Sequence, residues 1–166
     1  MSQLSLDQTE RYCVFRCDDR WYAIQALAVR SIVPRPELTP APQSDPILKG
    51  ICHTQNEFLP VISLRALTQI QYETAAGSEQ QLLILSGPQG PWGLLIDQAD
   101  SLATLEIAIS NYANSADRWA QATLGSASYR NQVLEVLDPV AVYEYAAGLI
   151  DGYWLHGGQH ELRFSH

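Results

Sequence analysis

Short apolar runs, each stopped by turn-forming residues, restrict this chain to a mainly β fold. The clearest pair, residues 82–85 and 92–96, is joined by Gly87-Pro88-Gln89-Gly90, which is typical of a hairpin turn. A second pair within residues 12–24 is joined by Asp18-Asp19. Several prolines between residues 34 and 46 exclude a central strand or a long helix from that segment. Many short strands with frequent turns predict barrels or a sandwich.

Two further hairpins and one helix complete the pattern. Asn56 tolerates the left-handed backbone that a tight turn between residues 51–53 and 58–62 requires. Another strand pair, 122–127 with 133–137, flanks residues 129–131. Residues 45–50 suit a short helical turn, and a longer helix begins at Asp138 with Pro139 as its first residue and can end at Gly148. The polar segment 71–80 is the expected break between two lobes.

Composition excludes several classes of partner. The formal net charge is −8, from 18 acidic and 10 basic residues, and this balance repels nucleic acid and anionic lipid. No apolar stretch reaches the roughly 18 residues needed to span a bilayer, so we expect a cytoplasmic protein without direct membrane insertion. The three cysteines lack CxxC spacing, which favours reduced core thiols over disulfides or a zinc site.

The sequence offers no convincing catalytic, metal or nucleotide site. There is no GxSxG motif, and Cys52 and His53 are neighbours in a predicted strand, so their side chains point to opposite faces. The tail histidines lie beside glycines near the end of the chain, which disfavours a metal site formed by His156, His160 and His166. The Gly87–Gly90 segment leads into a strand and lacks the GK[ST] of a phosphate-binding loop. We therefore expect no enzyme activity and no cofactor.

Six blocks in a specific order carry a resemblance to a known family. They are residues 12–16 with 22–24, 29–33 with 37–42, 48–51, 59–65, 92–97 and 134–138. Together they resemble the CheW family of chemotaxis adaptors over residues 12–145. The resemblance implies a single domain of two small SH3-like five-stranded β-barrels packed on a shared hydrophobic core. The expected ranges are about 11–70 for lobe 1, 80–137 for lobe 2, 138–147 for a C-terminal helix and 148–166 for a tail, with lobe borders that need not be continuous.

The resemblance also implies a function. Members of the family are non-catalytic adaptors that bridge the cytoplasmic tip of a methyl-accepting receptor and the regulatory domain of a CheA-type histidine kinase. We therefore expect recruitment to membrane-associated receptor arrays that control chemotaxis, phototaxis or type IV pilus movement. An alternative is a stand-alone regulator that competes for the kinase without engaging a receptor.

Candidate contact residues follow from the same resemblance. On the kinase side they are Lys49, Gln55, Asn56 and Arg65, although a solvated charge without a partner role fits Lys49 equally well and fits Arg65 better. In the receptor groove they are Val29, Ser31, Leu82, Gly93, Ile96 and Leu102. Apart from Ser31, most of these are also ordinary core candidates, for which burial without partner contact is an equally good explanation.

One departure from the family concerns partner choice. The family's Asn-Leu-Arg-Gly is His53-Thr54-Gln55-Asn56 here, and Ser31 stands where an acidic residue usually faces that arginine. Both charges are lost together, which predicts an intact fold with altered partners.

Overall fold

The computed structural model describes residues 10–40, 47–54, 56–68, 80–110 and 117–157, which form two β-sheets and a C-terminal helix. The strands in chain order are β1 (Arg11–Cys17), β2 (Arg20–Gln25), β3 (Val29–Pro34), β4 (Leu48–Thr54), β5 (Glu57–Ser63), β6 (Gln81–Leu85), β7 (Trp92–Ile96), β8 (Gln98–Thr104), β9 (Ala108–Ile109), β10 (Thr123–Tyr129) and β11 (Gln132–Leu137). The helices are α1 (Leu64–Thr68) and α2 (Pro139–Gly157), and 3-10 turns cover Ala26–Ala28 and Ala120–Ala122.

The two sheets share one plan. The six-stranded sheet has the order β8-β1-β2-β11-β10-β9, and the five-stranded sheet has the order β3-β6-β7-β5-β4. In each sheet an edge strand (β8 or β3) lies beside a hairpin (β1–β2 or β6–β7). That hairpin pairs in parallel with one strand of a second hairpin (β10–β11 or β4–β5). The six-stranded sheet adds only the two-residue strand β9. The chain thus builds two similar units, here called the six-stranded lobe and the five-stranded lobe.

Sheet membership does not follow the ranges 11–70 and 80–137 expected for the lobes. Strands β6 and β7 complete the five-stranded sheet with β3–β5, and β1–β2 complete the six-stranded sheet with β8–β11. The physical reason is the pair of parallel contacts, β2 with β11 and β5 with β7, which join strands far apart in the chain. The five-stranded lobe is therefore inserted between two parts of the six-stranded lobe.

The continuous apolar strands are buried on both faces. On β6, Leu83 and Leu85 face a core shared by the two sheets, whereas Leu82 and Ile84 face a core inside the five-stranded lobe. The same alternation on β1 and β2 separates the shared core from a core inside the six-stranded lobe. A strand buried on both faces has no polar face to expose, which explains the unbroken apolar runs.

The predicted turns and caps are present where local chemistry requires them. Asn56 has a φ of 65°, and Arg130 and Asn131 at the β10–β11 turn have φ values of 49° and 65°. The Asp138 carboxylate accepts the N–H of Val140 at 3.1 Å and begins α2 as a helix cap. Residues 48–50 belong to β4 rather than to a helical turn, because Leu48 pairs with Ile62 of β5.

Helix α2 continues past Gly148 to Gly157, so the prediction of a helix over 138–147 was too short. A glycine costs a helix about 1 kcal/mol but does not end it unless the chain turns into a left-handed conformation there. Gly148 does not adopt a positive φ, and Ile150 beyond it packs against the shared core. Tertiary packing therefore stabilises the helix beyond Gly148, although that glycine is a sequence signal for a helix end.

Candidate protein-binding surfaces

An apolar margin lies where the shared core reaches the edge strands of the two sheets. Val29 on β3 pairs with Leu85, and Leu102 on β8 pairs with Cys13. Leu85 and Cys13 both belong to the shared core, and directly opposed residues point to the same face of a sheet. Val29 and Leu102 therefore face the space between the lobes. Val29 is half-buried, whereas Leu102 remains 56% exposed.

Two further exposed apolar residues belong to this margin, and sequence reasoning missed both. The β3–β6 register shifts between Val29 and Ser31, so Ile32 pairs with Leu83 of the shared core and is 40% exposed. Leu27 is 88% exposed in the Ala26–Ala28 turn that carries the chain from one sheet to the other. We call Leu27, Val29, Ile32 and Leu102 the inter-lobe margin. The only sequence signal for Leu27 was the position of an apolar residue in a turn. No sequence signal indicated the bulge that reorients Ile32.

The other predicted groove residues lie elsewhere. Leu82 is fully buried in the five-stranded lobe's own core, and Ile96 is fully buried in the shared core. Gly93 lies beneath Leu82, where an added Cβ would stand 2.7 Å from a Leu82 methyl carbon. Ser31 pairs with Ile84 and so turns toward the five-stranded lobe's interior. Of the predicted set, the structure brings only Val29 and Leu102 to a common surface, because both faces of β6 and β7 are covered.

The β4–β5 hairpin presents a second surface, built around an aromatic pair. His53 and Phe58 are directly opposed, and their rings stack with centroids 4.4 Å apart. Phe58 is 73% exposed. Lys49 and Asn56 are exposed on the same hairpin, whereas Gln55 lies outside the described residues. We call Lys49, His53, Asn56 and Phe58 the hairpin surface. The sequence predicted the hairpin, but His53 and Phe58 were not among the predicted contact residues.

A charge pair close to this hairpin has the opposite polarity to the pair that the sequence resemblance implies at these positions. Arg30 Nη1 lies 3.6 Å from Glu57 Oε1, with both side chains more than two-fifths exposed. The cation stands on β3 and the anion on the hairpin, one residue from Ser31 and two from Gln55. An exposed pair of this kind contributes about 0–1 kcal/mol. Its main effect is on the local charge pattern that a partner meets.

Arg65 does not belong to the hairpin surface. It lies on α1, its side chain is 13% exposed, and it donates hydrogen bonds to the carboxylates of Asp18 and Asp97. Burial alone lowers the pKa of Arg65, but the attraction of Asp18 and Asp97 outweighs it and raises that pKa above its ordinary value. The guanidinium stays charged and is engaged within the chain.

The described residues hold no obvious reactive centre. Within the segments that the structure describes, no group of three or more His, Cys, Asp or Glu side chains could hold a metal ion. Cys52 is buried while His53 is exposed on the opposite face, and burial raises the pKa of the Cys52 thiol, which leaves it a poor nucleophile. No helix in the described part of the chain is long and apolar enough to cross a membrane.

Comparison with known proteins identifies the family. A family model for the CheW-like domain matches residues 11–147. The chain belongs to the CheW-like domain family. The crystal structure of the scaffolding protein TtCheW from Thermoanaerobacter tengcongensis is similar with a TM-score of 0.65 and 17% identity, over 77% of this chain and 83% of that chain. No curated protein matches the sequence.

This membership confirms the fold predicted from the sequence. The two sheets correspond to the two SH3-like β units of CheW, with the C-terminal helix present. Only the short strand β9 departs from the predicted five strands in each unit. Members of the CheW family are non-catalytic scaffolds, and this chain is a CheW-like adaptor in chemotaxis signalling.

Proposed function

We propose that this CheW-like chain bridges the cytoplasmic tip of a methyl-accepting chemoreceptor to the regulatory domain of a CheA-type histidine kinase. In this role it works in the cytoplasm, is recruited to membrane-associated receptor arrays and controls motility. The observation that carries the proposal is the inter-lobe margin, where exposed apolar side chains border a core shared by two lobes. An adaptor needs such a surface for each partner and needs no reactive centre.

The inter-lobe margin suits a receptor's helical tip. Leu27, Ile32 and Leu102 supply apolar contacts around the half-buried Val29. An amphipathic helix binds a hydrophobic groove through its own apolar side chains, which are spaced three or four residues apart on one face. In such a complex a few well-packed apolar residues supply most of the binding free energy.

The hairpin surface suits the kinase's regulatory domain. Phe58, stacked on His53, offers a large aromatic contact at low cost in side-chain entropy, and Lys49 adds a cation at the far end of β4. The reversed pair of Arg30 and Glu57 favours a kinase whose facing charges are arranged differently from those met by other family members. The adaptor would then discriminate among kinases by charge pattern.

Two substitutions separate the surfaces. Leu102→Asp places a charge in the inter-lobe margin, and we expect it to weaken binding to a receptor cytoplasmic-tip fragment by roughly tenfold or more, because hot-spot residues contribute at least 1–2 kcal/mol. Phe58→Asp is expected to weaken binding to the kinase regulatory domain by a similar factor. Each variant should leave the other partner's affinity unchanged. Co-purification and titration calorimetry measure both affinities.

Val133→Asp is the matched control, since Val133 is 73% exposed on β11, outside both surfaces. It should change neither affinity. Binding of the unmodified chain to the kinase domain alone would favour the stand-alone competitor over the adaptor. Binding to neither fragment would refute the proposed function.

A further inference from the structure

The chain passes between the two lobes at two points. The first is the Ala26–Ala28 turn, which leads from β2 to β3, and the second is the single residue Asp97 between β7 and β8. Short crossings of this kind are typical hinge positions between packed units. The angle between the lobes therefore depends on the shared core and on side chains that act across the crossings.

Arg65 binds the second crossing through an ion pair with Asp97. It stands on α1, directly after β5 of the five-stranded lobe, and its Nη2 lies 2.9 Å from Asp97 Oδ1. Its Nη1 binds Asp18, which lies in the β1–β2 turn of the six-stranded lobe. Asp97 in turn accepts the Asp18 backbone N–H at 2.8 Å and donates its own N–H to the Arg16 carbonyl. The guanidinium of Arg65 thus links the five-stranded lobe both to Asp18 of the six-stranded lobe and to Asp97 at the crossing.

The planar guanidinium fork is the cation suited to this task. It presents several N–H donors in a rigid plane and can engage two carboxylates at once, whereas a lysine ammonium is a point charge on a flexible stem. The contacts are largely buried, so solvent screens them weakly. A partly buried ion pair is weak evidence for stability by itself, and its best-attested role is to specify one arrangement among several.

Val29 and Leu102 of the inter-lobe margin lie at the end of the interface opposite the cluster, and Ile32 lies between the two ends, in the row of Leu94. Strand β1 runs from the row of Cys13 and Leu102 at the margin to Cys17 beside Asp18. Strand β7 runs from Trp92, which shares a row with Leu85 and Val29, to Ile96 beside Asp97. A change of angle at one end therefore changes the separation at the other.

We propose that Arg65, Asp18 and Asp97 form an inter-lobe ion cluster that sets the angle between the lobes and thereby the width of the inter-lobe margin. Arg65 is a positioning residue for the partner that binds at that margin. The second part of this inference rests on the proposed receptor-binding function, whereas the first part does not.

Distance measurement between spin labels tests the first part without any partner. Labels are attached at Lys49→Cys on the five-stranded lobe and Val133→Cys on the six-stranded lobe, both exposed, whereas the native cysteines are buried. We expect Arg65→Met to broaden the distance distribution between the labels, and Arg65→Lys to broaden it less. Arg30→Met is the matched control, because it removes an ion pair within the five-stranded lobe and should leave the distribution unchanged.

The same variants test the second part. Binding to a receptor cytoplasmic-tip fragment should weaken about five- to tenfold in Arg65→Met, which is a typical coupling between distant sites. An unchanged distance distribution in folded Arg65→Met would overturn the proposed cluster, and Arg65→Lys gives the same reading if Arg65→Met does not fold. A broadened distribution with unchanged receptor affinity would overturn the coupling to the margin. Failure of the unmodified chain to bind the receptor fragment would refute the proposed function and leave the distance result standing.

Discussion

Tyr22 has a raised pKa because its side chain is buried between the lobes. Its ring lies in the shared core, where it stacks on Phe15 with centroids 5.8 Å apart. Burial, followed by the negative charge of Glu135, raises the pKa of Tyr22 to about 12, despite an opposing hydrogen bond with Arg20. The folded protein therefore holds this phenol in its neutral form well above the pH at which an exposed tyrosine ionises.

This shift makes stability fall at alkaline pH. Below pH 10 Tyr22 is protonated in both the folded and the unfolded chain, so it adds no pH dependence. Between pH 10 and about 12 only the unfolded chain ionises readily, so the free energy of unfolding falls by about 2–3 kcal/mol. Denaturant titrations across this window should show a larger fall in the native chain than in Tyr22→Phe, which keeps only the fall caused by other buried acids such as Tyr12, Cys13 and Cys52. A difference between the two proteins that stays constant with pH would contradict the prediction.

Among the elements, β10 and α2 each contain a glycine whose effect on stability depends on the atoms around it. A Cβ built on Gly125 of β10 would lie 2.2 Å from the Ala108 carbonyl oxygen, so β9 packs directly over that glycine. A Cβ on Gly148 of α2 meets nothing closer than an Arg118 nitrogen at 3.8 Å. The first glycine permits a close approach of two strands, whereas the second only weakens a helix.

The same substitution should therefore have opposite effects at these positions. Gly125→Ala forces β9 away from β10 and should lower the free energy of unfolding by about 1–3 kcal/mol. Gly148→Ala should raise it by about 0.5–1 kcal/mol, because alanine loses less backbone entropy in a helix. Chemical denaturation of both variants measures the two changes. Changes of the same sign at both positions would contradict this account.

Local signals predicted the hairpins, and non-local pairing escaped them. Asn56 and the residues around Arg130 carry turn chemistry within a few positions, so β4–β5 and β10–β11 were predictable from the sequence. The parallel contact of β5 with β7 joins strands that are separated in the sequence by α1 and β6, and no local pattern encodes it. The bulge at Arg30 likewise moves Ile32 to the inter-lobe margin without a sequence signal. Burial on both faces of β6 removed the alternation that would have separated core from groove at Leu82.

At the scale of the whole molecule, the shared core makes the two lobes depend on each other. Leu94 is fully buried there, with strands of both sheets contributing to the same cluster. Each lobe also has a smaller core of its own. Neither small core buries as many large side chains as the shared one, so separation of the lobes would expose most of the apolar interior.

Leu94→Ala should accordingly destabilise both lobes together. The loss of a buried leucine side chain costs about 2–5 kcal/mol. Hydrogen exchange should show a similar loss of protection at the amides of Leu59 in one lobe and Ala127 in the other. Val133→Ala, an exposed substitution, should change neither amide. Loss of protection confined to Leu59 would mean that the lobes unfold independently.

The insertion of one lobe into the other also dictates an order of events during synthesis. The β1–β2 hairpin leaves the ribosome first, but its sheet neighbours β8 and β11 follow only after the whole five-stranded lobe has emerged. Domains form in the order in which the ribosome releases them. The inserted lobe can therefore complete its sheet while Phe15 and Ile24 of the early hairpin still lack their final neighbours. Until β8 and β11 arrive, the edges of the nascent hairpin lack their sheet neighbours, which makes this the stage of synthesis most exposed to pairing with other chains.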